Sequence, residues 1–294
     1  MAAPGLFFAR KRRRKRFAPA RSYTNSDRKG NAMDMNLAGR HALVCGASQG
    51  IGRACAIELA GLGANVTVLA RRAEVLEQLV EALPRSDDSQ THAFLVADAG
   101  DTEGLRTAVQ ELTAKRAVHI LVNNSGGPPP GTVHGTEIAA FLDAYRKHLV
   151  ANHVLAEIVI PGMQAAGYGR IVNIISTSVK EPIRGLGVSN TTRWAVASWA
   201  KTLATELAPF GITVNNVLPG STRTPRIEQI VATRAAKSGS SPADTERAME
   251  TEIPLQRFAD PSEIAAAVAF LASPAASYIT GINLPVDGGR TRSL

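Results

Sequence analysis

Two clusters of residues in this 294-residue chain have types and spacing suited to chemistry. The first is Val44-Cys-Gly46-Ala-Ser48-Gln49-Gly50-Ile51-Gly52, set between an apolar run of strand length and a segment of helical period. Glycines permit a tight turn there. Bare N–H groups at the start of the following helix can then reach pyrophosphate oxygens, where the helix dipole favours negative charge. Many strand-to-helix turns need glycine for geometry alone, but here a second strand ends about 20 residues further on, as a dinucleotide site requires. That strand closes on Ala70-Arg71-Arg72. An acid in this place would bond a ribose diol and repel a 2′-phosphate, whereas a guanidinium bonds phosphate bidentately. The pattern predicts NADP(H) rather than NAD, with Arg71 beside the turn and Arg72 next to it. A solvated strand end is the alternative reading of Arg71.

The second cluster is Ser176 at the end of an apolar run, Ser189 thirteen residues later and Arg193 one helical turn beyond. These stand out only through the family resemblance given below, whose Tyr and Lys positions Ser189 and Arg193 occupy. An aliphatic hydroxyl is far less acidic than a phenol, and a guanidinium stays protonated. Such a pair can bond ribose hydroxyls or a substrate anion, but it is a poor source of protons.

The elements that must position these groups follow from hydrophobic pattern. Strand-like runs fall at 41–45, 65–70, 92–97, 119–123, 170–175, 213–218 and 282–286. Helical periods fall at 51–62, 73–83, 102–115, 136–166, 189–208 and 261–272. Alternation of this kind implies right-handed crossovers and a parallel sheet covered on both faces. The predicted fold is α/β, a Rossmann-type doubly wound sheet of about seven parallel strands in a single domain at 35–294. One stretch, 221–257, breaks the alternation. Short helices are expected at 227–236 and 242–251, joined by Ser238-Gly-Ser-Ser241, and its place after a strand's carboxyl end suits a lid; an ordinary surface excursion is the alternative.

Several of these motifs together resemble the short-chain dehydrogenase/reductase family, over about 37–289. They are the Gly-x-x-x-Gly-x-Gly turn, Asn123-Asn124-Ser125-Gly126 (the family's Asn-Asn-Ala-Gly), Pro219-Gly220 with Thr222 and Thr224, and the ending Tyr278-Ile-Thr-Gly281…Val286-Asp-Gly-Gly289. The style is that of 3-oxoacyl-acyl-carrier-protein reductases and their ketone-reducing relatives. The resemblance implies that Asp98 bonds the adenine amine and that Asn124 lines the middle of the cofactor. Gln49 stands where NADP-preferring members of the family often carry a second basic residue. It also implies a Ser, Tyr, Lys and Asn at the reacting centre. Here the Ser is Ser176, the Tyr position is Ser189, the Lys position is Arg193 and the Asn position is His148.

The reading that follows is an oxidoreductase interconverting a carbonyl and a hydroxyl on a small ketone or 3-oxoacyl substrate, with a replacement proton donor. His148, with an unperturbed pKa near neutrality, is the first candidate for that donor. Lys180 is the second. A structural histidine and a solvated loop lysine are the respective alternatives. Positioning and charge stabilisation can support hydride transfer with water completing the proton. A non-catalytic nucleotide-binding homologue, acting as a sensor or oligomer subunit, and a non-redox elimination or isomerisation are the competing functions. By the same resemblance a homo-oligomer, dimer or tetramer, is expected through 136–166, 189–208 and the C-terminal strand region, with the face Trp194, Ala197, Leu203 and Leu207 serving either that interface or packing against the sheet.

Charge is unevenly placed. Of the net +8, residues 1–32 carry +9, through ten Lys/Arg against Asp27, leaving about −1 for everything else. The folded part therefore has no electrostatic case for binding nucleic acid. Segment 1–34 reads as an unstructured leader, an Arg-rich targeting segment or a nucleic-acid or acidic-surface tether, in that order. No run of consecutive apolar residues approaches the roughly 20 that span a bilayer, so no membrane partner is expected. Cys45 and Cys55 match neither a disulfide framework nor a metal-ligand spacing. No metal is expected, and a reducing cytoplasm is the default compartment.

Overall fold

The computed structural model describes residues 33–293. The expectations for the basic segment fall on residues 1–32, outside the described ones. Residues 33 and 34 belong with the body, since Ala275 N donates to the carbonyl of Asp34 at 2.9 Å.

All seven apolar runs become strands of one parallel sheet in the order β3-β2-β1-β4-β5-β6-β7. The strands are β1 His41–Cys45, β2 Asn65–Ala70, β3 His92–Val96, β4 Ile120–Asn123, β5 Gly169–Ile174, β6 Ile212–Pro219 and β7 Asn283–Val286. The order reverses between β1 and β4, which opens a crevice at the carboxyl ends, the usual place for a ligand in an open α/β sheet. Central strands are buried along their whole length, as parallel strands covered on both faces must be. β3 departs from that pattern because it is an edge, and it leaves Phe94 and Val96 exposed.

Helices α1 Gly50–Gly61, α2 Ala73–Ala82 and α9 Pro261–Ala272 cover one face. The other is covered by α3 Thr102–Lys115, α5 Ala151–Ala166 and α6 Gly187–Leu207, with α4 Ile138–Tyr145 leading into α5. Alternate strand residues divide between the two cores: Ala42, Val44, Ile120 and Val122 face the first, and Leu43, Leu121, Ile171 and Val214 the second. Each layer thus fixes the sheet from its own side.

Across β4 to β7, register is held by an amide ladder. Asn123 Nδ2 donates to Asn173 Oδ1 at 2.8 Å, Asn173 Nδ2 to Asn216 Oδ1 at 2.9 Å, and Asn216 Nδ2 to Asn283 Oδ1 at 2.8 Å. These four residues are backbone register partners on β4, β5, β6 and β7. A one-residue slip would bury unpaired amides at about 1–3 kcal/mol each, so the ladder specifies the alignment of the strand ends that carry the site.

The expected helix 136–166 is not continuous α-helix. Between α4 and α5 the turn Arg146–Val150 is π-helical. The extra residue per turn leaves His148 buried while Lys147 pairs outward with Asp143 at 2.7 Å. The whole run Ile138–Ala166 is long and apolar enough, by length and composition, to cross a membrane. Its buried positions Ala151, Leu155, Ala156, Val159 and Met163 instead pack in the second core.

Between β6 and α9 lies the irregular stretch, built from α7 Pro225–Ser238 and α8 Pro242–Thr251. It has a small core of its own in Val231, Met249, Ile253 and Phe258. Its base is closed by Arg223 N donating to Ala259 O and Ala259 N to Ser221 O, at 2.8 and 2.9 Å. The apolar face expected at an oligomer contact requires correction. Ala197 and Leu207 are buried within this chain, and only Trp194, 49% exposed, presents a large free surface there.

Candidate active site

The glycine turn is shaped by contacts that leave no room for side chains. Gly46 and Gly50 have φ of +60° and +57°, in the left-handed region. A Cβ on Gly52 would stand 2.3 Å from the Gly46 carbonyl oxygen and 2.7 Å from Asn124 Nδ2. Asn124 in turn donates to the carbonyls of Cys45 and Gly46 at 3.3 and 3.2 Å, stapling the turn to the end of β4. Thr224, at the start of α7, packs on Gly50 from the other side. Thr222 and Thr224 brace that connection through bonds to the carbonyls of Gly220 and Thr222. Gly220 abuts Asp287, so Pro219-Gly220 and the Val286-Asp-Gly-Gly289 ending meet at one place. Ile51 begins α1 and packs against the first core.

The two arginines after β2 exchange the expected places. Arg72, not Arg71, lies over the turn: its Nη2 donates to Ser48 Oγ at 3.3 Å and to Gln49 Oε1 at 3.0 Å. Arg71 points to Asp98, with Nη1 3.8 Å from Oδ2, and its side chain is 75% exposed. The physical reason is the side-chain alternation at a strand end, which sends neighbouring residues to opposite sides. Gln49, expected to be a gap in the phosphate site, is the residue that orients Arg72. Bare N–H groups, a Cβ-free turn and a guanidinium above it together fit a phosphorylated dinucleotide.

The second cluster is partly assembled. Ser176 starts the 3-10 turn Thr177–Val179, and its Oγ accepts from Ser178 N at 3.1 Å, leaving its own proton to donate. Trp194 Nε1 donates to Ser178 O at 2.9 Å and ties that turn to α6. Arg193 is 7% exposed, and its guanidinium donates to Ile174 O at 3.2 Å and to Ser125 O at 3.4 Å. Burial, and then the charge of Arg226, lower its pKa to about 10, so it remains a cation at neutral pH. Ser189 is half-buried on α6, and among the described residues its hydroxyl makes no hydrogen bond. Lys180 follows the 3-10 turn as its C-cap.

His148 is corrected most sharply. Its Nδ1 lies 2.6 Å from Ser125 Oγ, so it belongs with Ser125 and Arg193 in one hydrogen-bonded group. Burial, then the charges of Arg193 and Lys147, push its pKa down to about 2. A histidine expected to titrate near neutrality is therefore a neutral imidazole throughout the physiological range. It can hold a water or donate one hydrogen bond, but it cannot serve as a stored imidazolium acid.

A family model described as enoyl-(acyl carrier protein) reductase matches residues 46–291. A 3-oxoacyl-[acyl-carrier-protein] reductase of Pseudomonas aeruginosa is 33% identical, covering 87% of this chain and 98% of its own. The chain belongs to the short-chain dehydrogenase/reductase family. Also similar, at 31% identity over 87% of this chain and 94% of the relative, is a trans-4-hydroxycyclohexanecarboxylate dehydrogenase of Sinomonas cyclohexanicum. Among solved structures, L-sorbose reductase of Gluconobacter frateurii complexed with NADPH and L-sorbose superposes with a TM-score of 0.83 and 30% identity, covering 89% of this chain and all of that one.

Within a short-chain dehydrogenase/reductase fold, two residues were missed from sequence alone. Ser125 was legible only as a departure from Ala in the Asn-Asn-Ala-Gly motif, and its partner His148 departs from the family's Asn; the paired departures were the available signal. Arg226, in the first turn of α7, gave none, because it reaches the site only through the path of the irregular stretch.

Proposed function

We propose that this enzyme interconverts a carbonyl and a hydroxyl on a small-molecule substrate with NADP(H), without the family's phenolic proton donor. What carries the reading is the turn from Gly46 to Gly52, where an added Cβ would strike the Gly46 carbonyl and Asn124, with Arg72 bonded above it. When bound, the cofactor supplies or accepts hydride. In the L-sorbose reductase structure NADPH and L-sorbose accompany the same fold, and the Pseudomonas relative is named for reducing a 3-oxoacyl group.

The chain's own residues divide the remaining work. Backbone N–H groups around Ser48, Gln49 and Ile51 hold the pyrophosphate, and Arg72 the 2′-phosphate, with Arg71 and Asp98 flanking the adenine. Asn124, Pro219, Gly220, Thr222 and Thr224 shape the walls along the dinucleotide. Ser176 donates its hydroxyl proton to the substrate oxygen, polarising it. Arg193 fixes the ribose or the substrate from below. Neutral His148, oriented by Ser125, holds the water that completes proton transfer, and Ser189 leaves the space a phenol would fill. Loss of a positioned general acid typically slows such a step about 10²–10⁴-fold, so a slow but real reductase is the expectation.

The exposed residues Ile138, Leu142, Val150 and Trp194, on or beside α4, α5 and α6, support a homo-oligomer through that layer. Two buried, unpaired cysteines, Cys45 and Cys55, suit a reducing cytoplasm.

The test is NADPH oxidation over a panel of ketones, oxo acids and 3-oxoacyl thioesters, with Ser176→Ala alongside. Turnover lost in the Ser176→Ala variant while NADPH still binds supports the reading. Tight NADPH binding with no turnover of any compound above background would favour the sensor or oligomer-subunit alternative.

A further inference from the structure

The two guanidinium groups nearest the site have no acid to neutralise them. Among the described residues, neither Arg193 nor Arg226 takes part in an ion pair. Their bonds go to neutral carbonyls: Arg193 to Ile174 and Ser125, and Arg226 Nη2 to Pro128 O at 2.9 Å. Glu228, the acid in the first turn of α7, is exposed and pairs with neither. Both cations converge on one place. A Cβ built on Gly127 would stand 3.9 Å from Arg193 Nη2 and 4.0 Å from Arg226 Nη2. Gly127 has no side chain to fill that place, no other residue beyond its chain neighbours stands within 4 Å of it among the described residues, and Gly127 itself is exposed to solvent.

Holding a buried guanidinium without a counter-ion is unfavourable, and placing a second cation near it is more so. The lowering of the Arg193 pKa by Arg226 reports the same repulsion. Ribose hydroxyls carry no charge and would leave both cations uncompensated. The cofactor's phosphates are assigned to the glycine turn and Arg72. The missing negative charge is therefore left to the substrate.

We propose that Arg193 and Arg226 clamp a carboxylate of the substrate above Gly127, so that the enzyme acts on oxo acids and hydroxy acids rather than on neutral ketones. This rests on the functional reading above and names the substrate class of the same site. A carboxylate suits the position because it is planar and offers two acceptor oxygens to two guanidinium forks. Arg226 is carried by α7, so the irregular stretch closes one side of the substrate pocket. The start of α7 adds the favourable end of a helix dipole.

The test uses full-length protein saturated with NADP+, and reads binding by calorimetry and thermal shift. Probes are acetate, benzoate and cyclohexanecarboxylate, their neutral carboxamides, and inorganic phosphate. Charge-assisted bonds of this kind predict at least one carboxylate binding about 10–100-fold more tightly than its amide. Arg226→Gln should abolish that preference while leaving NADPH affinity within about 2-fold, on the reasoning that sites without shared partners act independently. Equal binding of acids and amides, a preference that survives in Arg226→Gln, or protection by phosphate alone would each overturn the proposal. In turnover assays, reduction of oxo esters as fast as the matching oxo acids overturns the clamp but leaves the oxidoreductase standing. Absence of any turnover counts against the oxidoreductase, while the binding arm still decides the clamp.

Discussion

Arg72 gives the most direct measure of how this chain selects its cofactor. Its Nη2 bridges Ser48 Oγ and Gln49 Oε1 at 3.3 and 3.0 Å, so the guanidinium is already held above the turn before any ligand arrives. A 2′-phosphate placed there gains a charge-assisted hydrogen bond to an oriented partner, worth about 1.5–3 kcal/mol. Arg72→Ala should therefore raise the Kd for NADPH about 10–150-fold and hardly change that for NADH, which has a hydroxyl at this place. Arg71 is expected to contribute less. It is largely exposed and paired at 3.8 Å with an exposed Asp98, and such surface pairs are worth about 0–1 kcal/mol. Arg71→Ala should cost NADPH affinity about 5-fold or less. Fluorescence titration of both coenzymes against the two variants, at low and high salt, separates the contributions. If Arg71→Ala weakened NADPH more than Arg72→Ala, or if Arg72→Ala weakened NADH equally, the assignment of the 2′-phosphate would be wrong.

Two further outcomes follow from buried histidines. Since His148 is held near pKa 2 by burial and neighbouring charge, kcat should show no ionisation attributable to it between about pH 5 and 9. Ser125→Ala should lower kcat with little effect on KM and leave that flat profile intact, whereas a limb near pH 6.5 removed by His148→Gln would refute the neutral-imidazole reading. His41, the first residue of β1, is buried, bonded to Thr67 Oγ1 at 2.8 Å and to Ala117 O at 3.0 Å, and its pKa is lowered to about 4 by burial. Between the unfolded value near 6.5 and that folded value only the unfolded chain takes up the proton. Stability should thus fall as pH drops from about 6.5 to 4, by up to about 3 kcal/mol from this group. His41→Gln should flatten the decline in Tm over that window, and an unchanged slope would show that other groups dominate.

The fold was legible because its strands are short apolar runs separated by helical periods, a pattern few architectures share. β1 and β2 fall where the sequence places them to the residue, and the other strands lie within one residue at each end. What the pattern could not show lies in three dimensions. Periodicity does not reveal that a π-turn at Arg146–Val150 buries His148, nor that doing so removes its charge. Composition along Ala70-Arg71-Arg72 shows two cations but not which one turns toward the glycines, because that depends on side-chain direction at a strand end. The Ser125–His148 bond joins residues on different elements, and only the paired departures from the family motif hinted at it. Arg226 was invisible for a related reason: no local rule reports where an irregular excursion returns.

The unusual electrostatics of the site have a common origin. Replacing a phenol by Ser189 removes the group whose ionisation a neighbouring cation would assist. The cation at Arg193 then has no local acid to act on, and its field falls on what remains within reach. Burial first, and then the charges of Arg193 and Lys147, hold His148 neutral on one side, while on the other the position beside Gly127 faces Arg193 and a second charge on Arg226. A positive site that has lost its protein acid gains most from a substrate that brings its own negative charge. The same carboxylate would lie within the field that holds His148 neutral, and by offsetting Arg193 it would raise the imidazole pKa when bound. On the clamp proposed above, proton delivery and substrate selection would be coupled through Arg193, and Arg193→Gln would change both.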